Sequence, residues 1–148
     1  MSLRRRAVVC LLACAVALAV TSPDGRASSS PMVDDINDVR RAHGLSELRY
    51  SQTLTRSSSR FARRLLRTDH FAHGGRIMTS GRFSKIGEIL AVNRGWELRR
   101  DRTLRAWLRS STHRAVVLSS SFRYIGEAHV RGYFHERRAV MWTVRFGK

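Results

Sequence analysis

Three polar residues that can do chemistry lie in separate segments of the sequence, each of which also carries apolar residues: His73, Glu88 and His113. Two imidazoles and one carboxylate are a sufficient ligand set for zinc with an open coordination position. The same groups could equally form an acid–base set. Spacing alone does not decide between these roles, because the chain has no His-Glu-x-x-His helix and no cysteine cluster.

The residues before His113 predict how that histidine is held. Leu104, Trp107 and Leu108 fall on one apolar stripe of a helix. The hydroxyl residues 110–112 interrupt this pattern and favour the start of a second, short helix. We therefore expect His113 near a helix start beside a buried stripe, where its ring can be fixed in one orientation. A histidine that only packs or caps fits the same pattern.

Glu88 lies in the middle of an apolar run, residues 86–92. A carboxylate is costly to bury without a partner, so we expect one close by. A purely structural role, in which Glu88 accepts hydrogen bonds from loop N–H groups, is the alternative. The glycine-containing segment 68–81 is predicted to be a loop that holds His73. His70, a rival ligand three residues earlier, is expected to be exposed to solvent.

Helical periodicity dominates the first part of the chain, and period-2 alternation dominates its end. The order of helices first and strands last, with short links, predicts an α+β fold, or an α-β-α sandwich with a central antiparallel sheet. Gly132 and the charged residues 135–138 are expected to connect the two strands. Helices are predicted over residues 31–43, 54–66 and 100–110, and strands over 124–130 and 139–146.

Several other polar and aromatic residues are expected to have ordinary structural positions. Glu127 is expected to face solvent from its strand, and Trp107 and Trp142 are expected in the core. The remaining histidines are predicted to be surface residues: His43, His129 and His135.

The N-terminus has the pattern of a secretory signal peptide, with three arginines followed by an apolar run over residues 7–20. That run is too short for a typical membrane span, although an uncleaved anchor is the alternative. We divide the chain into a signal peptide (1–27), a linker (28–31) and one domain (32–148). Both cysteines fall in the signal, so the predicted mature domain has no disulfide and no transmembrane span. The expected location is extracellular or the cell envelope.

The chain is strongly basic, with 28 Lys and Arg against 11 Asp and Glu and a net charge of +17. Such a field attracts anionic partners. An exported protein meets anionic lipid and envelope polymer first. The sequence has no arginine–glycine repeat and no interleaving of aromatic and basic residues, the patterns that indicate nucleic-acid binding. We therefore do not expect nucleic acid as the partner. A merely solvated basic surface is the alternative. The second predicted helix turns five arginines to water: Arg56, Arg60, Arg63, Arg64 and Arg67.

The motifs, taken in order, resemble the bacterial branch of the CAP superfamily, the SCP-like extracellular proteins. The resemblance covers residues 31–148, the whole predicted domain. The matching pieces are Ile36-Asn37 with Arg40 and Gly44-Leu45-x-x-Leu48, the helix over 54–66, Phe71-Ala72-His73, Gly87-Glu88-Ile89-Leu90, Trp107-x-x-Ser110-x-x-His113-Arg114-x-x-x-Leu118, Phe122-x-x-Ile125-Gly126 and Trp142-Thr143-Val144-x-Phe146.

The resemblance implies an α-β-α sandwich whose central cleft is lined by His73, Glu88 and His113. Some family members hold a divalent metal through the two histidines. The family's fourth cleft residue, a glutamate in the eukaryotic branch, is Ser110 here, and its Asn after the glutamate is Ile89. We expect Ser110 to orient His113 through a hydrogen bond.

From these observations we expect a secreted CAP-domain protein that acts as a binding module at the cell envelope. Its cleft would take a small ligand, or an anionic envelope polymer or lipid, with zinc or another divalent metal at His73 and His113. One alternative is a zinc-dependent hydrolase of peptide or cell-wall substrates, with Glu88 as candidate general base. A second alternative is an arginine-driven binder of nucleic acid or another anionic polymer.

Overall fold

The computed structural model describes residues 30–75 and 82–148. The predicted signal peptide therefore lies outside the described residues. In the described part, no helix has both the length and the apolar character that crossing a membrane requires. The elements, in chain order, are α1 (Pro31–Ala42), β1 (Arg49–Tyr50), α2 (Gln52–Thr68), β2 (Ile86–Arg94), α3 (Arg100–Arg109), α4 (Ser111–Val117), β3 (Tyr124–Phe134) and β4 (Arg137–Gly147).

The four strands form one sheet in the order β1-β3-β4-β2. The pairs β3–β4 and β2–β4 are antiparallel. The antiparallel sheet was predicted, but β2 was not predicted as a strand. The two-residue β1 adds a parallel pair at the edge. A two-residue turn joins β3 to β4, with His135 and Glu136 at φ 49° and 60°. Gly132, predicted in this connection, lies within β3 instead, where a Cβ would come within 2.8 Å of Leu66.

Helices cover both faces of the sheet, which confirms the predicted α-β-α sandwich. On one face, α2 packs through Phe61, Ala62 and Leu65 against Leu90 and Met141. The other face carries a larger core, built with α1, α3 and α4, and receives the alternate residues of β4. Those β4 residues are the ones that the period-2 pattern grouped together: Val140, Trp142, Val144 and Phe146.

Gly126 sets how closely α2 approaches the sheet. A Cβ at this position would lie 2.2 Å from the backbone nitrogen of Thr55, so no larger residue fits. The Ser58 hydroxyl donates to the Gly126 carbonyl at 2.9 Å. This direct contact between α2 and β3 fixes the distance of the helix from the sheet. Part of the candidate site lies between α2 and the sheet.

Glu127 is buried, so the expectation that it faces solvent is wrong. It shares its side of β3 with Ile125, and that side faces the larger core rather than water. His129 supplies its polar partner, with Nδ1 2.9 Å from Glu127 Oε1. The His129 ring also packs on Trp142, with 4.8 Å between ring centroids.

Arg40 joins α1 to the end of α4. Its side chain is 1% exposed, and its guanidinium donates to the carbonyl oxygens of Ser46 (3.0 Å), Val117 (2.7 Å) and Ser119 (3.0 Å). Burial, with a smaller contribution from Arg123, lowers the pKa of Arg40. Because the carbonyls of Val117 and Ser119 lie at the end of α4, Arg40 helps to hold the short helix that carries His113.

Replacing Arg40 with Leu leaves those three carbonyl acceptors without their donor. We expect the free energy of unfolding to fall by about 2–4 kcal/mol, with Arg40→Lys intermediate because an ammonium lacks the planar fork. Urea denaturation of the variants measures this. The neighbouring Arg41→Leu is the control, since Arg41 is exposed and its carboxylate partners in the described part of the chain, Asp38 and Glu47, are partly or largely exposed. Equal stability of the Arg40 and Arg41 variants would contradict the assigned role.

Candidate functional site

A buried ion pair lies at the base of the candidate site. Glu88 on β2 is directly opposite Arg145 on β4 in the antiparallel register, so both side chains leave the sheet on the α2 side. Their side chains are 5% and 6% exposed. Arg145 donates from Nε and Nη2 to Glu88 Oε2 at 2.9 and 2.8 Å. The partner that burial of Glu88 required is therefore an arginine on the next strand.

Helix α2 completes the surroundings of Arg145. The third nitrogen, Nη1, donates to the Ser57 hydroxyl. The guanidinium also lies 4.6 Å from the centroid of the Phe61 ring, in cation–π geometry. Sequence reasoning missed both Arg145 and Ser57. The available signal was Arg145 itself, a charged residue on a strand face otherwise formed by Ala139, Met141 and Thr143.

The second oxygen of Glu88 holds the loop after α2. Oε1 accepts the backbone N–H of Gly74 at 3.0 Å and lies 3.2 Å from His73 Nδ1. Glu88 thus accepts a loop N–H, as its structural reading predicted, and it also contacts a histidine. With His73 donating, the carboxylate accepts four hydrogen bonds. The His73 side chain remains 60% exposed, so its ring is oriented while its far edge is open to water.

His113 lies in the first turn of α4, as the sequence predicted. Ser110 precedes this helix, but its hydroxyl does not cap a backbone N–H. It lies 2.9 Å from His113 Nδ1, the hydrogen bond expected for the residue that replaces the family's second glutamate. Helix α3, which precedes Ser110, is attached to the sheet by Trp107. Its indole N–H donates to the Leu90 carbonyl at 2.9 Å.

The structure brings His73 and His113 together, with ring centroids 6.5 Å apart and planes inclined by 43°. Burial is the larger cause that lowers the pKa of His113, and the neighbouring His73 lowers it further. Both effects favour the neutral imidazole, the form that binds metals. Each Nδ1 already faces an oxygen, so each ring has Nε2 available for a ligand.

The donor set fits a metal held by two imidazoles. Second partners of the kind seen here, a carboxylate on one ring and a hydroxyl on the other, are usual for metal-binding histidines. Two rings on one tetrahedral ion would have centroids about 5 Å apart, so a small movement of the exposed His73 is needed. Within residues 30–75 and 82–148 no three His, Cys, Asp or Glu form a ligand group. The remaining positions on such an ion would go to water or a bound ligand.

The other histidines stay outside this pair. His70 is exposed, as expected. His43 and His135 are also exposed, and each turns Nδ1 to a local oxygen, of Val39 and Asp69 respectively.

The sequence matches the CAP family model, described as the cysteine-rich secretory protein family, over residues 33–146. No curated protein matches it significantly. The fold is similar to an outer surface protein from Borrelia burgdorferi (24% identity, TM-score 0.64, 79% of this chain and 89% of that one). It is also similar to an extracellular SCP-domain protein from Bacillus anthracis (20%, 0.62, 79% and 39%) and to venom allergen-like protein 4 from Schistosoma mansoni (11%, 0.59, 78% and 83%).

The ion pair makes a double-mutant test possible. Arg145→Met leaves the Glu88 carboxylate buried without its main partner, and we expect a loss of about 3–5 kcal/mol in the free energy of unfolding. The double variant Glu88→Gln with Arg145→Met removes both charges and is expected to be more stable than Arg145→Met alone. Chemical denaturation of the wild type, Glu88→Gln, Arg145→Met and the double variant gives the coupling energy between the two residues. Additive losses would show that the two residues do not interact.

Proposed function

Since the chain belongs to the CAP family, we propose that it is an extracellular binding module of the cell envelope and that its binding site is the cleft of His73, Glu88 and His113. One observation supports this most: a loop and a helix start place two imidazoles, each with an oxygen close to Nδ1, with ring centroids 6.5 Å apart. An Nδ1 partner alone does not distinguish this pair, because other histidines also have one: His43, His129 and His135. The distinguishing feature is that one imidazole faces another.

A divalent metal such as zinc would be held by the Nε2 atoms of His73 and His113. When bound, the ion supplies a Lewis-acidic coordination position for an oxygen of the ligand. Glu88 keeps the Nδ1 edge of His73 turned inward, and Ser110 does the same for His113. The protein's contribution would thus be to fix both rings through Nδ1, so that binding needs only a small movement of His73.

An extracellular location is supported by the family and by the predicted signal peptide at residues 1–27. The similar Bacillus anthracis protein is itself an extracellular protein. The ligand would be a small molecule, or an anionic envelope polymer or lipid, because the large excess of basic over acidic residues concentrates anions around the protein.

Binding is favoured over hydrolysis by the surroundings of Glu88. A general base needs an oxygen that can accept a proton from water. Here both oxygens are occupied, Oε2 by Arg145 and Oε1 by Gly74 and His73. The hydrolase alternative would require one of these contacts to break in each catalytic cycle.

The metal proposal is tested by titrating Zn²⁺ into the metal-free protein and measuring heat and stoichiometry. We expect one site per chain, with affinity lost in His73→Ala and in His113→Ala. His70→Ala is the matched control, since it removes an exposed imidazole three residues from His73, and it should bind like the wild type. Unchanged stoichiometry and affinity in the double His73→Ala and His113→Ala variant would refute the site.

A further inference from the structure

The outer face of α2 is a row of positive charge. Five arginines on this helix are exposed, and no acidic residue occurs between Gln52 and Thr68. None of the five guanidinium groups has a hydrogen-bond or ion-pair partner among the described residues. Arginines elsewhere, such as Arg41 and Arg100, have carboxylate partners. We call this surface the α2 arginine stripe: Arg56, Arg60, Arg63, Arg64 and Arg67.

The stripe runs along one side of a helix whose opposite side packs on the sheet. At about 100° per residue, the five positions fall within an arc of about 100° on the helix, and at about 1.5 Å per residue the row is about 16 Å long. The opposite side of α2 is buried through Leu54, Phe61 and Leu65. The guanidinium groups therefore point away from the sheet, at spacings of three or four residues except for the adjacent Arg63 and Arg64.

This arrangement is unfavourable for the isolated protein. Like charges at i and i+4, as for Arg56 and Arg60 or Arg63 and Arg67, destabilise a helix. Arg56 also lies near the positive end of the helix dipole. The packing of α2 on the sheet offsets these costs, and a row of anions along the stripe would remove them.

We propose that the α2 arginine stripe binds a flexible, linear phosphodiester polymer of the cell envelope, of the poly(glycerol phosphate) kind. Guanidinium groups bind phosphate oxygens through two parallel N–H donors, and a row of them matches a chain of regularly spaced phosphates. The stripe is separate from the His73–His113 cleft, so this site does not depend on the proposed metal function.

The composition of the face favours such a polymer over a bilayer or nucleic acid. Interfacial helices insert large apolar side chains into the lipid. The exposed large apolar residues of the described chain, Phe71 and Tyr133, lie outside α2. Binders of single-stranded nucleic acid stack bases on aromatic rings. The one aromatic residue of α2, Phe61, is buried against the sheet.

The experiment compares two triple variants of equal charge. One replaces Arg56, Arg60 and Arg63 with Gln on α2, and the control replaces Arg102, Arg105 and Arg109 with Gln on α3. The control arginines are also exposed and lie on the other side of the sheet. Affinity for synthetic poly(glycerol phosphate) oligomers is measured over a range of salt concentrations, after circular dichroism has shown that both variants are folded.

We expect the α2 variant to lose at least tenfold in affinity and the α3 variant less than about threefold. The slope of log affinity against log salt should fall by about 2 for the α2 variant, since about 0.7 is lost per phosphate contact. A variant with Lys instead of Gln at Arg56, Arg60 and Arg63 should retain most of the salt dependence, because it keeps the positive charges. Combined His73→Ala and His113→Ala substitutions should change neither quantity, which separates this site from the cleft.

Equal losses in the α2 and α3 variants would overturn the proposal, since net charge alone would then explain the binding. Tighter, α2-dependent binding to a single-stranded oligonucleotide of equal charge would overturn the assignment of the polymer. So would tighter binding to phosphatidylglycerol vesicles at equal phosphate concentration.

Discussion

The buried pair of Glu88 and Arg145 is the interaction on which the candidate site depends. Two charges in a dry layer are tolerated only when every polar atom finds a partner. The antiparallel register places the residues opposite each other, and α2 adds Ser57 and the Phe61 ring. The remaining carboxylate oxygen is then satisfied by the loop that carries His73. The requirement to satisfy one buried carboxylate therefore ties strand, helix and loop together.

The two histidines are positioned by independent means. His73 depends on Glu88, whereas His113 depends on Ser110, on Trp107 bonded to the sheet and on Arg40 at the end of α4. In this arrangement both rings have an oxygen partner close to Nδ1, and the His73 side chain remains largely exposed. Charge is arranged differently, because the α2 arginine stripe lies on the outer surface of the molecule. Recognition in the cleft and electrostatic attachment can thus be separate properties of one small domain.

Much of this structure follows from sequence periodicity. The alternation of Val140, Trp142, Val144 and Phe146 defined one face of the sheet, and the arginines of α2 marked its exposed side. The motifs around His73, Glu88 and His113 identified the residues of the candidate site. Arg145 was missed, because register between distant strands is not visible in local patterns. Glu127 was misplaced for a related reason. Alternation divides the residues of a strand between two faces, but it does not show that the face carrying Glu127 packs against the larger core.

The central claim is that these contacts hold the two imidazoles against each other, and an NMR pH titration of the metal-free protein tests it most directly. Burial and the charge of His73 both disfavour the protonated form of His113. We therefore expect the pKa of His113 to lie below the ordinary 6.5 and to rise toward it in His73→Ala. A pKa of His113 at or above 6.5 that does not respond to removal of His73 would show that the rings do not share a cleft.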